Sequence, residues 1–340
     1  MASGMTAMKK LVSILDGTDR VGRAAICPGG MMSMAVAEVM NECGARWPEA
    51  HSHAELMATL ALAMQEATGF DCIALPFCMT VEAEAYGADV NLGSIDVQPR
   101  HQGWCFDAAD DFRLPRPDFS MGRAGVTLAA MALARSMRPD IALIGNVVGP
   151  FSLLAMLTDP LQVMRWTRRS SSRLEAYLDT LADHLGAFAR MQVEAGADVI
   201  CIAEPTATGD ILSKAAFRRF VLERVNDMAR RISDAGGRVI VHICGDVSMI
   251  RGELTELCAD AVSFDAMVNM TEILRSKPPW LAMGNVSAFK LAMGTPEEIK
   301  ALSQRLVGGG VRLLAPACGI IAATSVANLK AMSETARIAG

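Results

Sequence analysis

Val239-Ile240-Val241-His242-Ile243-Cys244-Gly245-Asp246 is a run of β-branched residues that ends in a His and a Cys two positions apart, with a glycine directly after. Side chains at i and i+2 of a strand leave the same face. An imidazole and a thiol therefore stand side by side at the carboxyl end of this strand. Far downstream, Leu313-Leu314-Ala315-Pro316-Ala317-Cys318-Gly319 is a second apolar run that ends in a Cys and a Gly. One His and two Cys make a three-ligand zinc set that leaves a coordination position open. Whether they can share one ion depends on the fold.

Working outward, the same kind of apolar run recurs. The sequence predicts strands over 24–27, stopped by Pro28-Gly29-Gly30, and over 72–76. A third spans 141–144, ending in Gly145-Asn146, and a fourth spans 198–203. Strands over 238–243, 261–264, 280–283 (before Gly284-Asn285) and 311–314 complete the set. Helical periodicity predicts helices over 6–16, 31–43, 51–68, 122–137, 151–157, 160–194, 213–235, 248–258 and 324–338. Residues 77–120 read as an irregular excursion over one face. Short strands, apolar on both faces and separated by helices, belong to a parallel sheet buried on both sides. Eight such units predict a (β/α)8 TIM barrel, one domain over residues 1–340, with 1–20 as an N-terminal helical extension.

Composition agrees. The chain has 340 residues, 51% of them hydrophobic but only 5% aromatic, so aliphatic side chains and 23 Met must fill the core. A formal charge of −5, with acidic and basic residues interspersed, speaks against nucleic acid, which calls for a clustered basic face. No stretch approaches the length of a spanning helix and no secretory leader is visible, so the expectation is a cytoplasmic protein away from membranes. Nine Cys, an odd number scattered through apolar runs, fit reduced thiols. Walker, G-x-G-x-x-G, H-E-x-x-H and C-x-x-C motifs are absent.

In a barrel of this kind the chemistry gathers at the carboxyl ends of the strands. Glu82 and Glu84 follow the second predicted strand, Asn146 the third and Glu204 the fourth. His242 and Cys244 end the fifth, Asp265 the sixth, Asn285 the seventh and Cys318 the eighth. His242, Cys244 and Cys318 are the expected catalytic metal ligands, and Glu82, Asn146 and Asp265 the expected substrate-binding residues. Glu204 is a candidate fourth ligand that a substrate thiolate displaces; its plain alternative is a helix-cap neighbour or a partner for Lys214 or Arg218. Cys27, Cys43, Cys72, Cys78, Cys105, Cys201 and Cys258 read as ordinary small hydrophobes. Zinc held by two thiolates and an imidazole is nearly neutral and can stabilise an incoming thiol as thiolate without oxidising it. Alkyl transfer to sulfur is the implied chemistry, whereas a His- and carboxylate-rich set would point to water activation.

Three segments carry a family resemblance: Pro76-Phe77-Cys78-Met79-Thr80-Val81-Glu82-Ala83-Glu84-Ala85, Val241-His242-Ile243-Cys244-Gly245 and Pro316-Ala317-Cys318-Gly319. They resemble the zinc-dependent methylcobamide:coenzyme M methyltransferases of the uroporphyrinogen decarboxylase superfamily. Asn146-Val147-Val148-Gly149-Pro150-Phe151 and Glu204-Pro205-Thr206-Ala207 extend the likeness over nearly the whole chain. The resemblance implies His242, Cys244 and Cys318 as zinc ligands, and transfer of methyl from a methyl-Co(III) corrinoid to a thiolate on zinc, leaving Co(I). The D-x-H-x-x-G motif of corrinoid carriers is missing, and Asp183-His184-Leu185-Gly186 does not fit it. A methylcobamide must then arrive on a separate corrinoid protein or free. The acceptor is expected to be a small thiol such as coenzyme M, with tetrahydrofolate as an alternative; the sequence implies no oligomeric state. The rival readings are a porphyrinogen decarboxylase, which needs arginines that Cys27-Pro28-Gly29-Gly30-Met31-Met32 does not offer, and a scaffold or corrinoid-binding protein with structural zinc.

Overall fold

The computed structural model describes residues 9–27, 34–107 and 113–338. Among the described residues there are ten strands: β1 (Ala24–Ala25), β2 (Cys72–Leu75), β3 (Asp89–Asn91), β4 (Arg100–Gln102), β5 (Ala142–Val148), β6 (Val199–Ala203), β7 (Arg238–Ile243), β8 (Ala261–Phe264), β9 (Leu281–Met283) and β10 (Leu313–Leu314). Eight form one parallel sheet in the order β1-β10-β9-β8-β7-β6-β5-β2, and β3 pairs with β4 in a separate antiparallel hairpin. The outer strands of the large sheet, β1 and β2, meet through Asp71: its N–H donates to Ala25 O at 2.8 Å and its Oδ2 accepts from Ala25 N–H at 2.9 Å. The sheet thus closes as a (β/α)8 barrel.

All eight strands lie where the apolar runs predict them, because strands buried on both faces are mostly apolar along their length. Helix Gly122–Met137 also has its predicted bounds. The predicted helix over 160–194 is instead two, Pro160–Arg169 and Ser171–Glu194, broken at Ser170. The excursion over 77–120 holds helix Val81–Ala85 and the β3–β4 hairpin. Three helices escaped the sequence reading: Met270–Arg275, Ala288–Met293 and Pro296–Gly308. The expected Pro28-Gly29-Gly30 stop and the starts of the helices over 6–16 and 31–43 fall outside the described residues.

Helix Lys10–Leu15, the described part of the predicted N-terminal extension, lies under the amino ends of the strands. It buries Leu11, Ile14 and Leu15. Lys9 Nζ donates to Asp198 just before β6 (2.6 Å), Lys10 Nζ to Asp71 just before β2 (3.2 Å), and Asp16 lies 3.8 Å from Arg238 at the start of β7. The opposite mouth, at the carboxyl ends, is left to the loops that carry the predicted site. No helix among the described residues is long and apolar enough to cross a membrane.

Candidate functional site

His242 and Cys244 leave the carboxyl end of β7 on one face, and Cys318 follows β10, three strands further around the barrel. Curvature brings the two ends together. His242 Nε2 lies 3.1 Å from Cys244 Sγ, Cys244 Sγ 3.4 Å from Cys318 Sγ, and Cys318 Sγ 3.9 Å from His242 Nε2. The three ligand atoms all fall within 4.8 Å of one another, a spacing that could hold a metal ion. Gly245, at φ +69°, turns the chain sharply after Cys244 in a region that L side chains rarely adopt.

Electrostatics ties the two sulfurs together. A hydrogen bond from the Cys244 thiol lowers the Cys318 thiol to about 5, against the opposing effect of burial and with help from His242. That same bond and burial push the Cys244 thiol up. Cys318 is thus the more acidic of the two sulfurs.

Ser263 was missed by the sequence reading. His242 is registered opposite Ser263 in the β7–β8 ladder, and Ser263 Oγ lies 2.9 Å from His242 Nδ1. A hydrogen bond there fixes the ring and points Nε2 at the sulfurs. The available clue was a lone hydroxyl interrupting Ala261-Val262-Ser263-Phe264. Asp265, just past β8, accepts from Gly245 N–H at 3.3 Å and Met267 N–H at 3.2 Å, and so props the turn that carries Cys244. Asn285 does not face the triangle: its Nδ2 donates to the carbonyls of Asp265 and Val268.

Glu204 is not brought to the three ligands. Its Oε1 accepts from Phe151 N–H (2.9 Å), and its Oε2 from Ser152 N–H (3.0 Å) and Ser152 Oγ–H (2.7 Å). The carboxylate therefore caps the N-terminus of helix Pro150–Leu157, where free N–H groups and the helix dipole favour an anion. Gly149 makes room for it, since a Cβ there would lie 2.2 Å from the Glu204 side chain. Neither Lys214 nor Arg218 is its partner. Burial pushes its carboxyl up to about 7, against the pull of Ser152 and Phe151.

Glu82 and Asn146 come together in a narrow recess between β2, β5 and β6 that also includes Cys78, Val148 and Ala203. Glu82 lies on helix Val81–Ala85, is 1% exposed, and accepts from Val148 N–H at 2.8 Å through Oε1; its Oε2 has no partner among the described residues. Asn146 lies inside β5 rather than after it. Its Nδ2 donates to Leu75 O at 3.1 Å, and its Oδ1 has no partner. Burial raises the Glu82 carboxyl to about 7, partly opposed by Val148 N–H. Cys78, one of the thiols read as ordinary, accepts from Arg123 Nη1 at 3.2 Å, while Arg123 also pairs with Glu84 and Thr80. Glu84 is thus a partner for Arg123.

A sequence model of the Uroporphyrinogen decarboxylase (URO-D) family matches residues 6–338, nearly the whole chain. The chain belongs to this family. Within it, the chain is 31% identical over 337 residues to the methylcobamide:CoM methyltransferase MtaA of Methanosarcina barkeri, covering 97% of each. It is 30% identical over 309 residues to the methylcobamide:CoM methyltransferase MtbA of Methanosarcina acetivorans, covering 89% of this chain and 90% of that one. A solved methyltransferase from Methanosarcina mazei superposes with a TM-score of 0.89 at 32% identity, covering 97% of both chains. For this family member, the barrel and its closure agree with the expectation from the apolar runs.

Proposed function

We propose that this protein transfers the methyl group of a methylated corrinoid to a small thiol such as coenzyme M, at a zinc ion held by His242, Cys244 and Cys318. The observation that supports it most is the sulfur–sulfur–imidazole triangle at the barrel mouth, with sides of 3.1, 3.4 and 3.9 Å. It stands in a chain that matches a methylcobamide:CoM methyltransferase over 97% of its length. The donor set fits zinc, since two soft sulfurs and an imidazole oriented by Ser263 leave a fourth position open. Glu204 is occupied as a helix cap, so that position falls to the substrate. When bound, the ion would lower the pKa of the substrate thiol and hold its sulfur as a nucleophile without redox chemistry.

The chain's own residues do the rest. Ser263 holds the His242 ring, Asp265 and Gly245 hold the Cys244 turn, and Val148 and Ala203 give the approach a dry wall. Glu82, Asn146 and Asp265 line the way in for substrate. The chain lacks the D-x-H-x-x-G motif, so the methylated corrinoid would come on a separate corrinoid protein or free in solution. All of this is carried by one domain over residues 1–340.

The purified protein is expected to bind about one zinc ion per chain and to demethylate methylcobalamin only when a thiol is supplied, with the absorbance of Co(I) appearing. Cys318→Ser is expected to lose both. Equal zinc and equal demethylation in that variant would overturn the site. Comparing coenzyme M, homocysteine and tetrahydrofolate in the same assay identifies the acceptor.

A further inference from the structure

A thiol that becomes a nucleophile must give up its proton, and hydrogen-bond accounting at the mouth singles out an acceptor. His242 Nδ1 is engaged by Ser263. Asp265 takes N–H groups from Gly245 and Met267. Glu204 is as buried as Glu82, but its oxygens accept three hydrogen bonds. Glu82 keeps Oε2 without a partner, and the recess it lines holds a second bare oxygen, Asn146 Oδ1. The Asn146 amide cannot simply turn over to relieve this, because its Nδ2 is held by Leu75 O. Two unpaired acceptors in one buried slot are costly, each by about 1–3 kcal/mol, and a proton arriving between them relieves both.

The slot lies beside the candidate ligands. Val148 and Ala203 are partners in the β5–β6 ladder, and Ala203 and His242 are partners in the β6–β7 ladder. The wall of the recess is therefore one strand spacing, about 4.8 Å, from the strand that carries His242.

We propose that Glu82 is the proton acceptor for the substrate thiol, with Asn146 Oδ1 receiving the hydrogen bond of the protonated carboxyl. This rests on the methyl-transfer reading given above. The S–H bond breaks heterolytically, the electron pair stays on sulfur, and the proton joins Glu82 Oε2. Sulfur then forms its bond to the methyl carbon as the cobalt–carbon bond breaks, leaving that electron pair on cobalt. The proton departs to solvent after the methylated product leaves.

The surroundings suit a group that must change protonation. The titratable and charged groups that act on Glu82 are Cys78 after β2 and Arg123 on helix Gly122–Met137, while Glu84 shares its helix and Glu204 follows β6 on the other side of β5. The Tyr86–His184 pair stands further out. Arg123 is paired with Glu84 and also donates to Cys78 and Thr80, so its charge is largely spent before it reaches Glu82. Burial lifts the Glu82 carboxyl to about 7, where a base can both take and release a proton near neutral pH.

The test uses the zinc-loaded protein and Glu82→Gln, which keeps an oxygen for Val148 N–H. In wild type, adding coenzyme M is expected to raise a protonated-carboxyl band in the difference infrared spectrum, absent in Glu82→Gln. Calorimetry in two buffers above neutral pH is expected to show less than one proton released per bound thiol in wild type and more in the variant. Demethylation by Glu82→Gln is expected to fall about 10²-fold and to lose the limb near pH 7, with zinc content unchanged. Asn146→Leu, which removes the acceptor of the protonated carboxyl, is expected to shift that limb downward. An infrared band and pH profile shared by wild type and Glu82→Gln would overturn the assignment while leaving methyl transfer standing. Wild type without thiol-dependent demethylation would overturn the methyl-transfer reading itself.

Discussion

His51 shows what a single buried residue can cost. It is 1% exposed, stacked on Trp47 at 5.0 Å between centroids, and neither ring nitrogen has a partner. Burial, helped by Arg123, lowers its pKa to about 3 from 6.5. The unfolded chain then takes up a proton below about pH 6.5 that the folded chain refuses until about pH 3, so stability falls as pH drops through that window. His51→Met is expected to be near neutral in stability above pH 7 and more stable than wild type at pH 5, as measured by urea titration at both pH values. Glu82 and Glu204 work in the opposite direction. Their carboxyl pKa values are raised from 4.5 to about 7, so their burial costs nothing below about pH 4.5 and the full amount above pH 7. Glu204→Ala tests its role directly. Removing the acceptor orphans Phe151 N–H and the two Ser152 donors, and is expected to cost about 2–4 kcal/mol in urea titration while zinc per chain stays unchanged. A loss of zinc in a folded Glu204→Ala protein would instead make it a ligand.

At the scale of elements, the cap on helix Pro150–Leu157 depends on backbone as much as on the carboxylate. Gly149→Ala would place a Cβ 2.2 Å from the Glu204 side chain. It is expected to destabilise by about 3 kcal/mol or more, read as a lowered midpoint with unchanged slope in denaturant. The strands were legible because each is dominated by a short apolar run, and the three metal-ligand candidates were legible because they sit where such runs stop. Asn146 was misplaced because Gly145-Asn146 reads locally as a turn. Ladder partners in β2 reach Gly145, and those in β6 carry β5 on to Val148. Helix Pro296–Gly308 had a readable start in Thr295-Pro296-Glu297-Glu298, a capping box with proline at its first position, which the search for apolar period passed over. The β3–β4 hairpin offers no such signal, since its residues are exposed or half-buried and alternate without apolar period. Ser263 and the Glu204 cap were hidden for a different reason: each is defined by a neighbour across the barrel, not along the chain.

Across the whole molecule, the two ends of the barrel are built for different ends. The amino end is closed by helix Lys10–Leu15 and charge pairs reaching β2, β6 and β7, while the carboxyl end keeps the sulfurs half-buried. Deleting residues 1–20 removes three buried aliphatic side chains and is expected to cost about 4–8 kcal/mol, seen as a large fall in melting temperature. In whatever fraction remains folded, zinc per chain is expected to match wild type, because every candidate ligand lies at the far end.

Cys244 and Cys318 stand 74 residues apart in the chain, with β8 and β9 between them. During synthesis the first two ligands emerge well before the third, so metal loading must wait until the last barrel strand has been made and docked. Once loaded, the ion would act as a removable cross-link from β7 to β10, across β8 and β9. By loop-closure entropy alone such a cross-link restrains the unfolded chain by about 4 kcal/mol. Amide exchange in β8 and β9 is therefore expected to slow on zinc addition and to recover with a chelator, so that the rigidity of one wall follows the metal.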